Sequence, residues 1–325
     1  VEDAIQDHPR VQRILDRFSS KNVIVCDHYG EIFNRKNQSF RQQKKSPALI
    51  LANKTGKKVL PTPPGFGIGG NHNYYFSHLL NCPFDCRYCF LQGMYPSAHY
   101  VLFVNYEDFM DEILQFSSDN PSPSYFFSGY DADSLAYEPI SEFLDNFIPF
   151  FNNNPQAILE LRSKSTNIRP LLQHQATPNI ICAFSLTPDI ISKQIEYKVP
   201  PLARRLVAMQ TLADRGYRIG LRFDPLIYAD NFIELYEELI KNIQQHVPTE
   251  CLHSISIGTL RFPEKMFRKI YKQYPKETIL NQAFEKNHQQ VGYSQAIHNQ
   301  LIDTVSQQIQ TAFTGVPVFN CQANI

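Results

Sequence analysis

The sequence predicts an α/β fold: a partial (β/α)6 TIM-like barrel with an N-terminal α/β extension and a C-terminal helix/hairpin tail. Three observations predict it. From residue 73 onward, β-branched or aromatic runs alternate with amphipathic stretches in six strand-then-helix units. The connections are short and polar or carry glycine, which suits buried parallel strands returned by helices. Hydrophobic residues make up 43% and charged residues 19%, a globular mixture that buries a sizeable core without disulfide staples.

The elements follow in order. Residues 9–19 carry apolar side chains at 11, 14, 15 and 18, which is helical spacing, with Pro9 suited to the first turn. "NVIVC" (22–26) and "ALILA" (48–52) read as strands. The polar, basic stretch 34–46 reads as a solvated loop or helix face, or as a nucleic-acid contact. Gly65, Gly67 and Gly70 match GxGxxG, but prolines precede them and a strand-like run follows, so a flexible loop is expected rather than a dinucleotide fingerprint. The barrel units are strand 73–80 with helix 106–116, strand 124–130 with helix 140–151, and strand 157–163 with a short helix near 168–174. Strand 179–186 with helix 202–216, strand 217–226 with helix 231–243, and strand 253–260 with helix 264–274 complete the six. In the tail, 282–294 suits a turn or hairpin, 295–313 a helix and 316–320 an edge strand. The expected division is an extension over 1–70, a core over 71–275 and a tail over 276–325.

Lys plus Arg and Asp plus Glu both number 31, so the formal net charge is zero. That argues against a globally basic nucleic-acid binder and leaves room for a local patch. Seven cysteines, three of them bunched, suit a reducing compartment with a metal or redox site better than a disulfide framework. "VEDAIQDHPR" has no signal-peptide h-region, and no apolar run approaches membrane-spanning length. A soluble cytoplasmic protein with no membrane partner is the expectation.

The bunched cysteines lie in "NCPFDCRYCFLQG" (81–93) as Cys82, Cys86 and Cys89, directly after the first barrel strand. Barrel active sites sit at the carboxyl ends of strands. A structural zinc site wants four ligands, usually in paired motifs. Here Cys182, Cys251 and Cys321 are scattered, His78 or His99 could approach, and no paired motif exists. Three thiolates on a [4Fe–4S] cluster leave one iron without a protein ligand, open to an exogenous one.

Cys-x3-Cys-x2-Cys after the first strand of a six-fold βα chain resembles the radical S-adenosylmethionine (SAM) superfamily. The resemblance implies a [4Fe–4S] cluster whose open iron is chelated by the amino and carboxylate groups of SAM. It implies reduction by a partner such as flavodoxin or ferredoxin. It also implies cleavage of SAM to methionine and a 5′-deoxyadenosyl radical that abstracts a substrate hydrogen. "NCPFDCRYCFLQGMYPSAHYVLFVNYEDF" (81–109) more closely resembles the spore photoproduct lyase family, and similar stretches extend over roughly residues 10 to 295. In "LRSKS" (161–165) the resemblance places a SAM-contacting lysine at Lys164, and in "AFSLTPDII" (183–191) a SAM-contacting serine at Ser185. Tyr88 is expected to pack on the adenine. Gly129 and Tyr130 stand where many radical SAM enzymes contact the SAM amino group, with Asp131 or Asp133 as its acceptor. By resemblance the chain is a carbon–carbon lyase of DNA repair acting on a methylene-bridged thymine dimer.

The sequence departs from that family in three places. Where the family carries a hydrogen-donating cysteine beyond the second strand, "YFFSGYDADSLAYE" (125–138) has none, and the matching position is Tyr130, or Gly129 if the alignment slips by one. Tyr130 as donor, another cysteine such as Cys182 or Cys321, or a different substrate would each account for this. Phe90 stands where a tyrosine is expected. The stretch 285–300, where a basic hairpin is expected, has one lysine and no arginine. Arg261, Lys265, Arg268, Lys269 and Lys272 offer a compensating nucleic-acid contact, the last four on one helix face, or else a solvated face. The expected function is a radical SAM enzyme acting on DNA or a nucleotide. The alternative keeps the radical chemistry and changes the substrate to RNA, another nucleotide or a small molecule.

Overall fold

The computed structural model describes residues 1–18 and 22–321. Ser19, at the end of the expected first helix, and the last four residues of the expected tail lie outside them. The central feature is an eight-stranded sheet: β1 (Val59–Pro61), β2 (His72–Phe76), β3 (Ser124–Ser128), β4 (Ala157–Ser163), β5 (Ile180–Ser185), β6 (Arg218–Leu226), β7 (Leu252–Thr259) and β8 (Val318–Asn320). Its spatial order is its chain order. From β2 to β8 every neighbouring pair is parallel, and β1 runs antiparallel to β2. The sheet curls into a half barrel.

Helices return the chain between parallel strands. They are α1 (Tyr106–Ser118), α2 (Phe143–Asn152), α3 (Asp189–Ile195), α4 (Leu202–Asp214), α5 (Phe232–Gln244), α6 (Glu264–Gln273) and α7 (Gln295–Ala312). A 3-10 turn, Leu171–Gln173, stands between β4 and β5 where a short helix is expected. Alternation along the strands separates two faces. Leu159, Leu161, Ile180, Cys182, Phe184, Ile219, Leu221, Phe223, Ile255 and Ile257 are buried in one core with Phe143, Phe147 and Phe151 of α2 and Met209 of α4. Truncating such a leucine to alanine costs about 2–5 kcal/mol. The alternate positions carry Glu160, Arg162, Ser185, Arg222, Asp224, Ser254 and Ser256, so the other face is polar.

The flanks join this scaffold. β1 comes from the first 70 residues and β8 from the last 50, so both supply edge strands to the sheet. Leu49–Ala52 pairs with Tyr100–Phe103, which pairs with Leu79–Leu80, in a separate three-stranded sheet. The expected strand 73–80 is therefore two strands in two sheets. The expected strand at 22–26 is absent. Val23, Ile24 and Val25 are exposed, and Cys26 makes only an isolated bridge to Glu2. β-branched residues favour a strand only where a partner strand and a packed face receive them. The GxGxxG match lies in the loop between β1 and β2. The tail hairpin forms as expected, Phe284–Asn287 against Gln290–Tyr293, with Arg261–Pro263 as third strand.

Candidate active site

The cysteine loop is held from three sides. Asp85–Cys86 pairs antiparallel with Glu196–Tyr197, opposing Cys86 to Glu196. The Arg87 amide donates to Ile195 O at 2.9 Å. Its guanidinium reaches Asp85 and Glu277, each at 2.7 Å. Lys44, from the basic stretch 34–46, donates to the carbonyls of Cys82 (3.3 Å) and Phe84 (3.2 Å). That stretch thus places one cation on the cysteine loop.

Cys82, Cys86 and Cys89 are free thiols that line a single cavity of about 370 Å³. Burial raises all three thiols; Lys164 pulls Cys86 and Cys89 the other way, and Lys44 does so for Cys82 and Cys89. Among the described residues no three His, Cys, Asp or Glu side chains converge on a point suited to a single metal ion. A polynuclear iron–sulfur cluster binds each cysteine through a different iron, so three spaced thiolates in one cavity fit it. His78 and His99 do not join them. His78 is stacked on Phe143 at 4.0 Å, and burial lowers its pKa to about 3. His99 Nδ1 accepts the Ala48 amide.

The same cavity is lined by Tyr88, Gly129, Tyr130, Lys164 and Ser185. Tyr88 is buried and donates its hydroxyl to Glu196 at 2.5 Å, with the Lys164 ammonium 5.6 Å from its ring centre. The Glu196 carboxylate also accepts from Thr187 (3.0 Å), Ser192 (2.5 Å) and Arg205 (3.0 Å), and lies 3.9 Å from Lys164. Burial alone would raise its pKa, but Lys164 and Arg205 hold the carboxyl below the ordinary range. Arg205 donates in turn to Ser185 O at 2.9 Å. One carboxylate shared by two cations leaves a positive excess beside the cavity.

Asp133 accepts from the amides of Leu135, Ala136 and Lys164 and from the Ser163 hydroxyl, binding the turn after β3 to the end of β4. Asp131 does not line the cavity; its carboxylate accepts from Ser77 at 2.5 Å. Gly129 has φ +89°, and a Cβ there would meet Ser134 Oγ at 2.5 Å and Arg162 O at 3.0 Å, so only glycine fits. Tyr130 stacks on Tyr75 at 4.4 Å, with Phe90 at 5.9 Å, forming an aromatic wall. Cys321, just after β8, also lines the cavity, whereas Cys182 faces the helices. Arg261 lines the cavity too. Lys265, Arg268, Lys269 and Lys272 lie exposed on α6, Arg268 paired with Glu264.

Sequence reasoning missed Glu196, Arg205, Glu160 and Arg222. Arg222 clasps Glu160 through Nη2–Oε2 (2.7 Å) and Nε–Oε1 (3.1 Å), both side chains fully buried. A signal existed for this second pair: charges at alternate positions in "AILELRSKS" and "YRIGLRFDPL" mark a polar sheet face. For Glu196 and Arg205 no local pattern points inward.

A family model described as spore photoproduct lyase matches residues 72–316. Among curated relatives, spore photoproduct lyase of Bacillus subtilis (strain 168) is 23% identical over 288 residues, covering 86% of this chain and 82% of the relative. That of Clostridium acetobutylicum is 24% identical over 70% of this chain and 68% of the relative. A solved spore photoproduct lyase variant with bound AdoMet and dinucleoside spore photoproduct superposes with a TM-score of 0.82 at 18% identity, over 98% of this chain and 96% of that one. Another solved variant reaches a TM-score of 0.85 at 17% identity, over 98% and 97%.

Proposed function

The chain belongs to the spore photoproduct lyase family, and from that premise we propose that it is a radical SAM lyase of DNA repair, acting on a thymine photoproduct in DNA or on a nucleotide. One observation carries the reading: a single cavity gathers Cys82, Cys86 and Cys89, the cationic end of β4, the Ser185 end of β5 and an aromatic wall. Cys82, Cys86 and Cys89 hold a [4Fe–4S] cluster. When bound, the cluster and SAM supply a 5′-deoxyadenosyl radical after reduction by a flavodoxin- or ferredoxin-like partner.

The chain's own residues bind and orient. Lys164, whose charge Glu196 only partly balances because Arg205 shares that carboxylate, takes the SAM carboxylate. Ser185 offers its hydroxyl from the next strand. Gly129 lets the backbone approach the SAM amino group, and Asp131 lies next but one in the same turn. Tyr88, pinned through Glu196, gives the adenine a fixed aromatic neighbour. Tyr130, Tyr75 and Phe90 exclude water and offer a face on which a base stacks. The hydrogen donor in this reading is Tyr130, at or next to the family's donor position, or Cys321, whose thiol belongs to the same cavity. Outside the cavity, Arg268, Lys265, Lys269 and Lys272 on α6 contact DNA phosphates, with Arg261 at the cavity edge. The chain acts in the cytoplasm; no helix among the described residues is long and apolar enough to cross a membrane.

Tyr130 and Phe90 favour a second reading, in which the family's radical chemistry serves another substrate: RNA, another nucleotide or a small molecule. The test supplies the anaerobically reconstituted, reduced protein with SAM and an oligonucleotide bearing the methylene-bridged thymine dimer. Restored thymine supports the repair reading. SAM cleavage without restored thymine selects the second.

A further inference from the structure

We propose that Arg162 and Arg261 form a phosphate subsite inside the cavity, separate from the Lys164 pole, and that its ligand is the phosphate of a nucleotide. This rests on the reading above and adds to it that the substrate enters with its phosphate inside the cavity, beyond any contact on α6.

Two guanidiniums line this part of the cavity, and each is anchored along one edge. Arg162 donates through Nε to Glu160 Oε1 at 3.0 Å. Arg222 already engages both oxygens of that carboxylate, so Glu160 is largely spent on the buried arginine. Among the described residues the hydrogen bonding of Arg162 uses Nε alone, and its side chain keeps 30% exposure. Arg261 donates through Nη1 to Asp224 Oδ1 (3.1 Å) and Thr259 O (2.8 Å), and its guanidinium carbon stands 5.5 Å from the Phe66 ring centre. Arg162, Asp224, Arg261, Gln290 and Cys321 all line the cavity.

The backbone is shaped for this gathering. A Cβ on Gly258 would meet Asp224 Oδ1 at 2.7 Å, Cys321 O at 2.9 Å and Arg261 Nη1 at 3.0 Å. A Cβ on Gly220 would meet Arg222 Nη2 at 2.7 Å. Two glycines in adjacent strands therefore make room for guanidiniums rather than for a tight turn. Three guanidiniums, from Arg162, Arg222 and Arg261, face two carboxylates, from Glu160 and Asp224, which leaves one positive charge in excess. Lys164 faces a different carboxylate, Glu196, which it shares with Arg205. The polar wall thus carries two cationic poles, and a SAM carboxylate uses one. Guanidinium forks match the paired oxygens of a phosphate. The aromatic wall of Tyr130, Tyr75 and Phe90 in the same cavity offers the stacking face that a nucleotide needs and inorganic phosphate does not.

The test is equilibrium binding of three probes to the anaerobically reconstituted full chain without reductant: thymidine 5′-monophosphate, thymidine and inorganic phosphate. The monophosphate is expected to bind roughly tenfold or more tightly than thymidine. That advantage should fall away in Arg261→Gln and, independently, in Arg162→Gln. Circular dichroism of each variant establishes that it folds, and either folded variant suffices. Equal binding of monophosphate and thymidine overturns the proposal, as does an advantage kept in a folded variant. Inorganic phosphate binding as tightly as the monophosphate overturns the nucleotide assignment. Because nothing turns over, the outcome is independent of repair: a protein that cleaves SAM yet shows no phosphate preference loses the subsite and keeps the function.

Discussion

Lys164 concentrates the site's electrostatics in one side chain. It directly follows β4, stands 5.6 Å from the Tyr88 ring centre, and shares Glu196 with Arg205. Removing it leaves the Glu196–Arg205 pair intact and deletes the cation facing the ligand. Lys164→Ala is expected to weaken SAM binding by about 2 kcal/mol, or roughly tenfold to a hundredfold, in a direct binding assay. Unchanged affinity would remove Lys164 from the SAM site. That Cys82, Cys86 and Cys89 gather in one cavity with Lys164 and Ser185 was legible, because three cysteines within eight residues have no packing rationale and strand ends in such a fold share one mouth. Glu196 and Arg205 were not legible: each reads as an ordinary polar residue, and their meaning arises only when α3, α4 and the cysteine loop meet. Asp131 illustrates the opposite: its place in the chain pointed to the cavity, yet its carboxylate accepts from Ser77.

Among the elements, strands and helices separate chemistry from packing. The helix-facing side of β4 to β7 is apolar, and the other side carries charges on β4 and β6 and serines on β5 and β7, a period of two visible in the sequence once the strands are placed. The strand–helix rhythm was legible because apolar runs and amphipathic stretches differ in period. The run at 22–26 misled because β-branched composition reports suitability for a strand and not the presence of a partner. The six-unit core and the edge strand at 316–320 were legible, but the opposite edge strand, β1, was not, because pairing across the chain leaves no local mark. Helix α6 carries Lys265, Lys269 and Lys272 on its exposed side, while Ile270 is buried. Replacing these lysines together by glutamine is expected to weaken binding to duplex DNA about equally across sequences. The slope of log affinity against log salt should fall by roughly 0.9 for each phosphate that the variant no longer neutralises. An unchanged slope would make this a solvated face.

For the whole molecule, the buried Glu160–Arg222 clasp ties the middle of the sheet across β5. Burial alone would raise the Glu160 pKa, but Arg222 and Arg162 hold it at about 2 against an ordinary 4.5. A carboxyl depressed on folding contributes stability that is fully present above the unfolded value and is lost as pH falls through the folded one. That difference amounts to about 3 kcal/mol. Thermal stability should therefore drop between about pH 4.5 and 2, and a Glu160→Gln variant, less stable at neutral pH, should show a shallower fall across that window. An equally steep acid transition in the variant would assign the loss to other carboxylates.

The central claim is that Cys82, Cys86 and Cys89, the triplet in the loop after β2, equip this half barrel to cleave SAM. The most direct measurement is 5′-deoxyadenosine formed when the anaerobically reconstituted protein is reduced with dithionite in the presence of SAM. The account predicts its formation by the native chain and its loss, together with the cluster's brown absorbance, in Cys86→Ala. No 5′-deoxyadenosine from the native chain, or undiminished formation by Cys86→Ala, would contradict it.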